Sequence, residues 1–205
     1  NRTLKDLWND AVTRTPDKTF LIFEDQYGND TYYTYQQFNK QVNCVANGLM
    51  NSGIGYQDKV AVHLNNSPEF LLIWFACAKI GAIMVPSNIH HVENEIEYLL
   101  SFSDSKMVIT EEEFLPRFEK VLPKVPTIEH LVLGRTRNIN REYILLDSWL
   151  KTENSSEPVV EINQDDILEI IFTSGTTARP KGVMLTHGNH LASGQRISKH
   201  IRLTP

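Results

Sequence analysis

The stretch from Ile170 to Leu185, reading IIFTSGTTARPKGVML, restricts the fold of this chain more than any other. Two apolar runs flank a loop of hydroxyl-bearing residues and glycine, which leaves through Pro180, Lys181 and Gly182. The pattern predicts two buried strands joined by a loop that sets many small polar donors beside one cation. A polyphosphate suits such a loop. Backbone N–H groups and the hydroxyls of Thr173, Ser174, Thr176 and Thr177 can meet its oxygens, while the Lys181 ammonium offsets their charge. Gly175 and Gly182 let the backbone approach closely, and Pro180 stiffens the exit. The Walker pattern G-x-x-x-x-G-K-[ST] is excluded: counted from Gly175, its second glycine falls on Pro180, and Gly182 follows Lys181. The competing reading is a polar turn between core strands, its hydroxyls bonded to its own backbone and Lys181 a surface lysine.

The rest of the chain can build a core around that loop. Of 205 residues, 41% are hydrophobic and 22% charged, a globular balance with room for one large domain or two small ones. A net charge of −5 with no basic stripe argues against nucleic acid as a partner. Cys44 and Cys77, set in apolar periodicity, read as reduced core thiols and predict a cytoplasmic protein. No charged-then-apolar leader opens the chain, so no signal peptide is expected; no Met opens it either, so Asn1 is not expected to be the translational start. The apolar run from Phe70 to Ala78 is far shorter than the roughly 20 residues a membrane span needs, so no transmembrane segment is expected.

Periodicity then lays out the elements. Leu4, Leu7, Trp8, Ala11 and Val12 lie at helical spacing behind Thr3 and Asp6, a capping-box pair. A strand from Phe20 to Phe23, a turn at Gly28 and a tyrosine cluster (Tyr32, Tyr33, Tyr35), which either packs at a strand edge or stacks on a base, follow. Thr34 caps a helix that turns Phe38, Val42, Val45, Ala46 and Leu49 inward and stops at Gly53. After a strand at 59–64, Ser67-Pro68-Glu69 starts a helix apolar nearly all round, hence buried, which Gly81 ends before a strand at 82–85. Helices near 93–102 and 112–121 alternate with strands near 107–110 and 128–133. Polar stretches cover 134–141 and 151–161, with a candidate seam at 151–163. Asp165 and Asp166, which either hold a metal or face solvent, precede a strand at 167–173; beyond the loop come a strand at 183–185 and a helix from Thr186 toward Arg202. Strands alternating with helices predict the α/β class, a layered and mostly parallel sheet with flanking helices.

The histidines offer less. His90 and His91 are adjacent, so they cannot share one face of a helix or strand, and no His/Cys ligand spacing accompanies them. Ser174 lacks a Gly-x-Ser-x-Gly elbow, and His187 is expected to anchor the turn into the last helix.

The loop resembles the phosphate-binding signature [ST]-S-G-[ST]-T-G-x-P-K-G of the adenylate-forming superfamily: acyl-CoA synthetases, luciferases and peptide-synthetase adenylation domains. From Thr173 to Gly182 only Ala178 departs, standing where the pattern has Gly. A positive φ there would cost on the order of 1 kcal/mol. The resemblance extends from the Trp8 helix through Leu185-Thr186-His187 and Asn189. It includes the segment from Lys79 to Asn88, which ends in Val-Pro-Ser-Asn; two positions after that Asn, where many relatives carry Arg, stands His90. The segments from Trp74 to Gly81 and from Thr177 to Pro180 look closest to the crotonobetaine/carnitine–CoA ligase branch. It implies that residues 1–205 are part of an N-terminal ATP- and acyl-binding domain. The adenine and ribose segments, the C-terminal lid and its catalytic lysine would lie further along, leaving no catalytic residue here and no activity for this piece alone. It also implies ATP, magnesium near Thr173, a carboxylic acid substrate and CoA as co-substrate, in a reaction through an acyl-adenylate. Two alternatives stay open: an adenylation domain that loads a carrier protein, and a non-catalytic nucleotide-binding module. A partial sheet would expose apolar edges, so copies are expected to self-associate into a homo-oligomer.

Overall fold

A computed structural model of the chain describes residues 2–136, 143–151, 154–173 and 179–201. Helix α1 (Leu4–Arg14) begins as expected: the Thr3 side chain accepts from the Asp6 amide while the Asp6 carboxylate accepts from the Thr3 amide. Strands β1 (Thr19–Glu24) and β2 (Asp30–Thr34) form a separate antiparallel hairpin, turning at Gly28 with φ 81°. Thr34 and Gln37 make the second capping box and open α2 (Tyr35–Asn51). Trp8, Phe20, Tyr35, Phe38 and Phe75 pack ring against ring around these first elements, which seats the hairpin on the helices.

The main body is a sheet of seven strands. After β3 (Lys59–His63), α3 (Pro68–Ile80) and β4 (Ile83–Pro86) come α4 (Glu93–Ser103), β5 (Met107–Glu111), α5 (Leu115–Val121) and β6 (His130–Gly134). Then follow β7 (Ile144–Leu145), α6 (Leu146–Leu150), β8 (Ile167–Thr173), β9 (Lys181–Thr186) and α7 (His187–His200). The strand order is β7-β6-β5-β3-β4-β8-β9, parallel throughout except for the antiparallel β8–β9 pair. Alternation along each strand splits the core into two layers. Val60, Val62, Met84, Met107 and Ile109 face α1, α2, α3 and α6, whereas Ala61, Ile83, Val85 and Val108 face α4 and α5.

Three local expectations are revised. Ser67 stands at the start of α3, but its side chain makes no capping bond, and Pro68 and Glu69 are left to favour that end. The two strands flanking the loop are not both buried. Burial of β8 ends at Ile170, while Val183 and Met184 on β9 are exposed, because β9 lies at the edge of the sheet among the described residues. The short β7 and α6 fall between the two polar stretches, where no element was assigned; α6 carries Trp149 into the core beneath Gly48 of α2.

That last contact gives a test of packing. A Cβ on Gly48 would lie 2.3 Å from the Trp149 ring. Helix propensity alone favours Ala over Gly by about 1 kcal/mol, but overpacking a filled core costs about 1–3 kcal/mol. At 2.3 Å the clash wins. Gly48→Ala is expected to lower unfolding stability by about 1–2 kcal/mol, with a change in the near-ultraviolet dichroism of Trp149; a stabilised variant would refute the packing.

The segment 154–160 runs across α1, α2 and α3, fastened by all three. Asn43 donates to the Ser155 carbonyl, Asn47 to those of Asn154 and Ser156, and Lys5 to those of Pro158 and Val160. Glu157 accepts from Asn9 and from Lys79, whose side chain is fully buried. The strands on either side of 151–163 belong to one sheet.

Candidate phosphate-binding site

The loop of interest is carried by the β8–β9 hairpin. Ser174, Gly175, Thr176, Thr177 and Ala178 lie outside the described residues. The hairpin itself fixes the other three candidates. In its register Thr173 pairs with Lys181 and Phe172 with Gly182. Directly paired residues put their side chains on one face. The Thr173 hydroxyl and the Lys181 ammonium therefore flank the mouth of the loop together, both exposed. Thr173 Oγ1 also lies 3.5 Å from the Lys181 carbonyl, a long contact that leaves the hydroxyl available to a stronger acceptor. Gly182 has a packing role: a Cβ there would sit 2.9 Å from Ile170 Cγ2. Its side thus faces the hairpin's apolar surface.

The loop's exit is held from the side. Tyr98 of α4 donates its hydroxyl to the Pro180 carbonyl at 2.9 Å, and the Arg179 guanidinium lies 5.5 Å from the centre of the Tyr98 ring. Tyr98 stacks on Phe102, and both meet Phe172 edge-on. Sequence reading missed this cluster, although Tyr98 and Phe102 stand four apart on one helical face, a spacing that marks a contact surface. A cavity of about 700 Å³ opens beside them, lined in part by Pro86, Asn88, His91, Tyr98, Phe172 and Arg179.

Beneath the cavity, the turn after β4 is pinned twice. The Ser87 hydroxyl sits 3.0 Å from His63 Nδ1 and 3.2 Å from His91 Nδ1. Arg117 donates to the carbonyls of Ile89 and His91. Burial, with the Arg117 charge adding to it, pushes the His63 pKa down to about 4, so the ring stays neutral. His91 thus belongs to a hydrogen-bonded turn. Asp166 accepts from the Tyr56 hydroxyl and the Asn163 amide. No cluster of His, Cys, Asp or Glu suited to a metal occurs among the described residues.

The strand after the loop hands directly into α7. Thr186 and Asn189 form a third capping box, and buried His187 accepts the Leu4 amide on Nδ1 at 3.3 Å. That bond ties the start of α7 to the start of α1, the anchoring expected of His187. Burial also lowers the His187 pKa to about 4, which keeps Nδ1 an acceptor.

A family model described as AMP-binding enzyme matches residues 8–205. Among curated relatives, a crotonobetaine/carnitine–CoA ligase of Citrobacter koseri is 38% identical over 92% of this chain and 37% of its own length. The ligase of the same name from Salmonella paratyphi A is 37% identical over 98% of this chain and 40% of its own length. Among solved structures, an anthranilate CoA ligase in complex with anthranoyl-AMP matches 95% of this chain and 36% of its own at TM-score 0.87 and 25% identity. The chain therefore spans less than half the length of the curated relatives it matches.

Proposed function

Because the chain belongs to the AMP-binding enzyme family, we propose that it is part of an ATP-dependent acid–thiol ligase whose N-terminal domain includes residues 1–205. A carboxylate oxygen attacks the α-phosphorus of ATP; the bond to the bridging oxygen breaks, and pyrophosphate leaves. The thiol of CoA then attacks the acyl carbon, and AMP departs. The observation that carries this reading is the Thr173–Lys181 pair at the mouth of the hairpin loop. A hydroxyl donor and an ammonium, fixed opposite one another by strand pairing, suit the oxygens of the leaving β- and γ-phosphates. Fixed donors aimed at growing charge are worth more than mobile ones, because they need not reorganise during the reaction.

Magnesium fits this donor set as an ion held mainly by the nucleotide's own phosphates, with the Thr173 hydroxyl as a protein oxygen beside it. When bound, it would supply further positive charge to the leaving group. Cys44 and Cys77, both buried and not joined in a disulfide, support a cytoplasmic setting; among the described residues no helix is long and apolar enough to cross a membrane. The exposed Val183 and Met184 support self-association of the 205-residue piece.

The test uses the full-length protein. Crotonobetaine and carnitine, named for the curated relatives, are the first acids to try. Pyrophosphate exchange into ATP is expected to require the acid, and adding free CoA is expected to yield the thioester. Exchange with thioester formed only on a carrier protein would move the reading to a peptide-synthetase type. No acid-dependent exchange across a panel of carboxylic acids would overturn it.

A further inference from the structure

We propose that Tyr98 is a positioning residue for the nucleotide phosphates, acting through the exit of the hairpin loop. The inference rests on the ligase reading and deepens it. Helix α4 is a firm base: Ile96, Leu99 and Leu100 are buried in the layer shared with β4 and β5. Its half-buried side presents Tyr98 to both arms of the hairpin. Toward β8, the Tyr98 and Phe102 rings lie 6.3 Å and 6.0 Å from Phe172, the residue before Thr173. Toward β9, the Tyr98 hydroxyl donates to the carbonyl of Pro180, the residue before Lys181, and its ring underlies Arg179.

One side chain thus touches the neighbours of both Thr173 and Lys181. The pairing of β8 with β9 alone does not set where the pair points, because among the described residues β9 is the last strand of the sheet and carries exposed side chains. The hydroxyl bond to Pro180 supplies that missing restraint. Proline suits the position: its ring fixes φ, and its carbonyl stays free to accept. A restraint on Lys181 that leaves the acid's own contacts alone would act on ATP selectively.

The experiment compares full-length wild type, Tyr98→Phe and Tyr98→Leu, with Lys181→Ala alongside. Two readouts are taken: the KM values for ATP and for the acid in pyrophosphate exchange, and hydrogen–deuterium exchange of the peptide spanning 170–186 without ligand. Losing one hydrogen bond corresponds to a factor of roughly 3–10. Tyr98→Phe is expected to raise the KM for ATP by about that factor and Tyr98→Leu by more. The KM for the acid and the thermal midpoint are expected to stay put, while amide exchange in 170–186 becomes faster. Parental amide exchange in both Tyr98 variants overturns the proposal, as does a KM for the acid that rises as far as that for ATP. If Lys181→Ala loses ATP turnover while Tyr98→Leu keeps the parental KM for ATP, the clamp is rejected and the phosphate reading survives. If Lys181→Ala turns over normally, the phosphate reading fails, and the proposal fails with it.

Discussion

Full-length protein carrying Lys181→Ala is expected to lose about 100-fold in acid-dependent pyrophosphate exchange, with its unfolding midpoint unchanged. The magnitude follows from the charge it removes: deleting one fixed donor to a developing oxyanion costs about 3 kcal/mol, or roughly two powers of ten in rate. The unchanged midpoint follows from placement. Lys181 is exposed at the first residue of β9, and its backbone pairing with Thr173 survives truncation of the side chain. Lys181→Arg separates charge from shape. A guanidinium keeps the positive charge but presents a planar fork in place of a compact ammonium, so partial activity is expected, between that of wild type and Ala. Thr173→Val removes the opposing hydroxyl at nearly constant volume and is expected to cost less, since a neutral donor is weaker than a charged one. Undiminished exchange in Lys181→Ala would sink the assignment of this side chain to the phosphates.

The site's chemistry was easier to read from sequence than its support, for a physical reason. A phosphate-gripping loop must carry its donors in order along the chain, so the run from Thr173 to Gly182 announces itself locally. What aims the loop comes from elsewhere: Tyr98 reaches Pro180 across 82 residues. The helices behave similarly. Three capping boxes, at Thr3, Thr34 and Thr186, join residues three apart and place the starts of α1, α2 and α7. By contrast, the parallel part of the strand order, β7-β6-β5-β3-β4-β8, rests on pairings between separate segments that no local pattern encodes. The two-residue β7 and five-residue α6 are too short to display a period, so Trp149 gave no sign of its place beneath Gly48. Segment 154–160 misled most. It reads as a loose polar stretch, yet it is bound chiefly through its backbone carbonyls, which no side-chain pattern reveals. One signal was present: Asn43 and Asn47 stand four apart on the otherwise apolar face of α2 and need acceptors.

Glu157→Ala is expected to destabilise the protein by about 1–2 kcal/mol, because it strands a buried ammonium, a loss that water reaching the 40% exposed Glu157 position reduces. Lys79 is 0% exposed at the end of α3, and its Nζ lies 2.5 Å from Glu157 Oε2. Burial pulls the Lys79 pKa below the usual lysine value, and the Glu157 carboxylate pushes it back up. Burial likewise raises Glu157, but hydrogen bonds from Lys79 and Asn9 outweigh it and hold the carboxyl below its usual range. Each charge is therefore kept by the other. Removing the carboxylate leaves Lys79 to unfold locally toward water or to give up its proton, and either outcome costs stability. The second route has a signature. With its partner gone, the folded-state lysine pKa falls further below the unfolded one, so the folded state binds fewer protons. The deficit should then grow as pH falls from the ordinary lysine pKa toward the depressed folded-state one, and shrink as pH rises. Lys79→Met removes the buried charge while keeping an unbranched chain of similar volume, and is expected to cost much less than Glu157→Ala. The double variant is expected to recover most of the loss, since no unpaired ammonium remains. Urea unfolding of the four proteins at two pH values checks all of this. Parental stability in Glu157→Ala, or a double variant as weak as that single one, would show that the pair does not hold segment 154–160 against the helices.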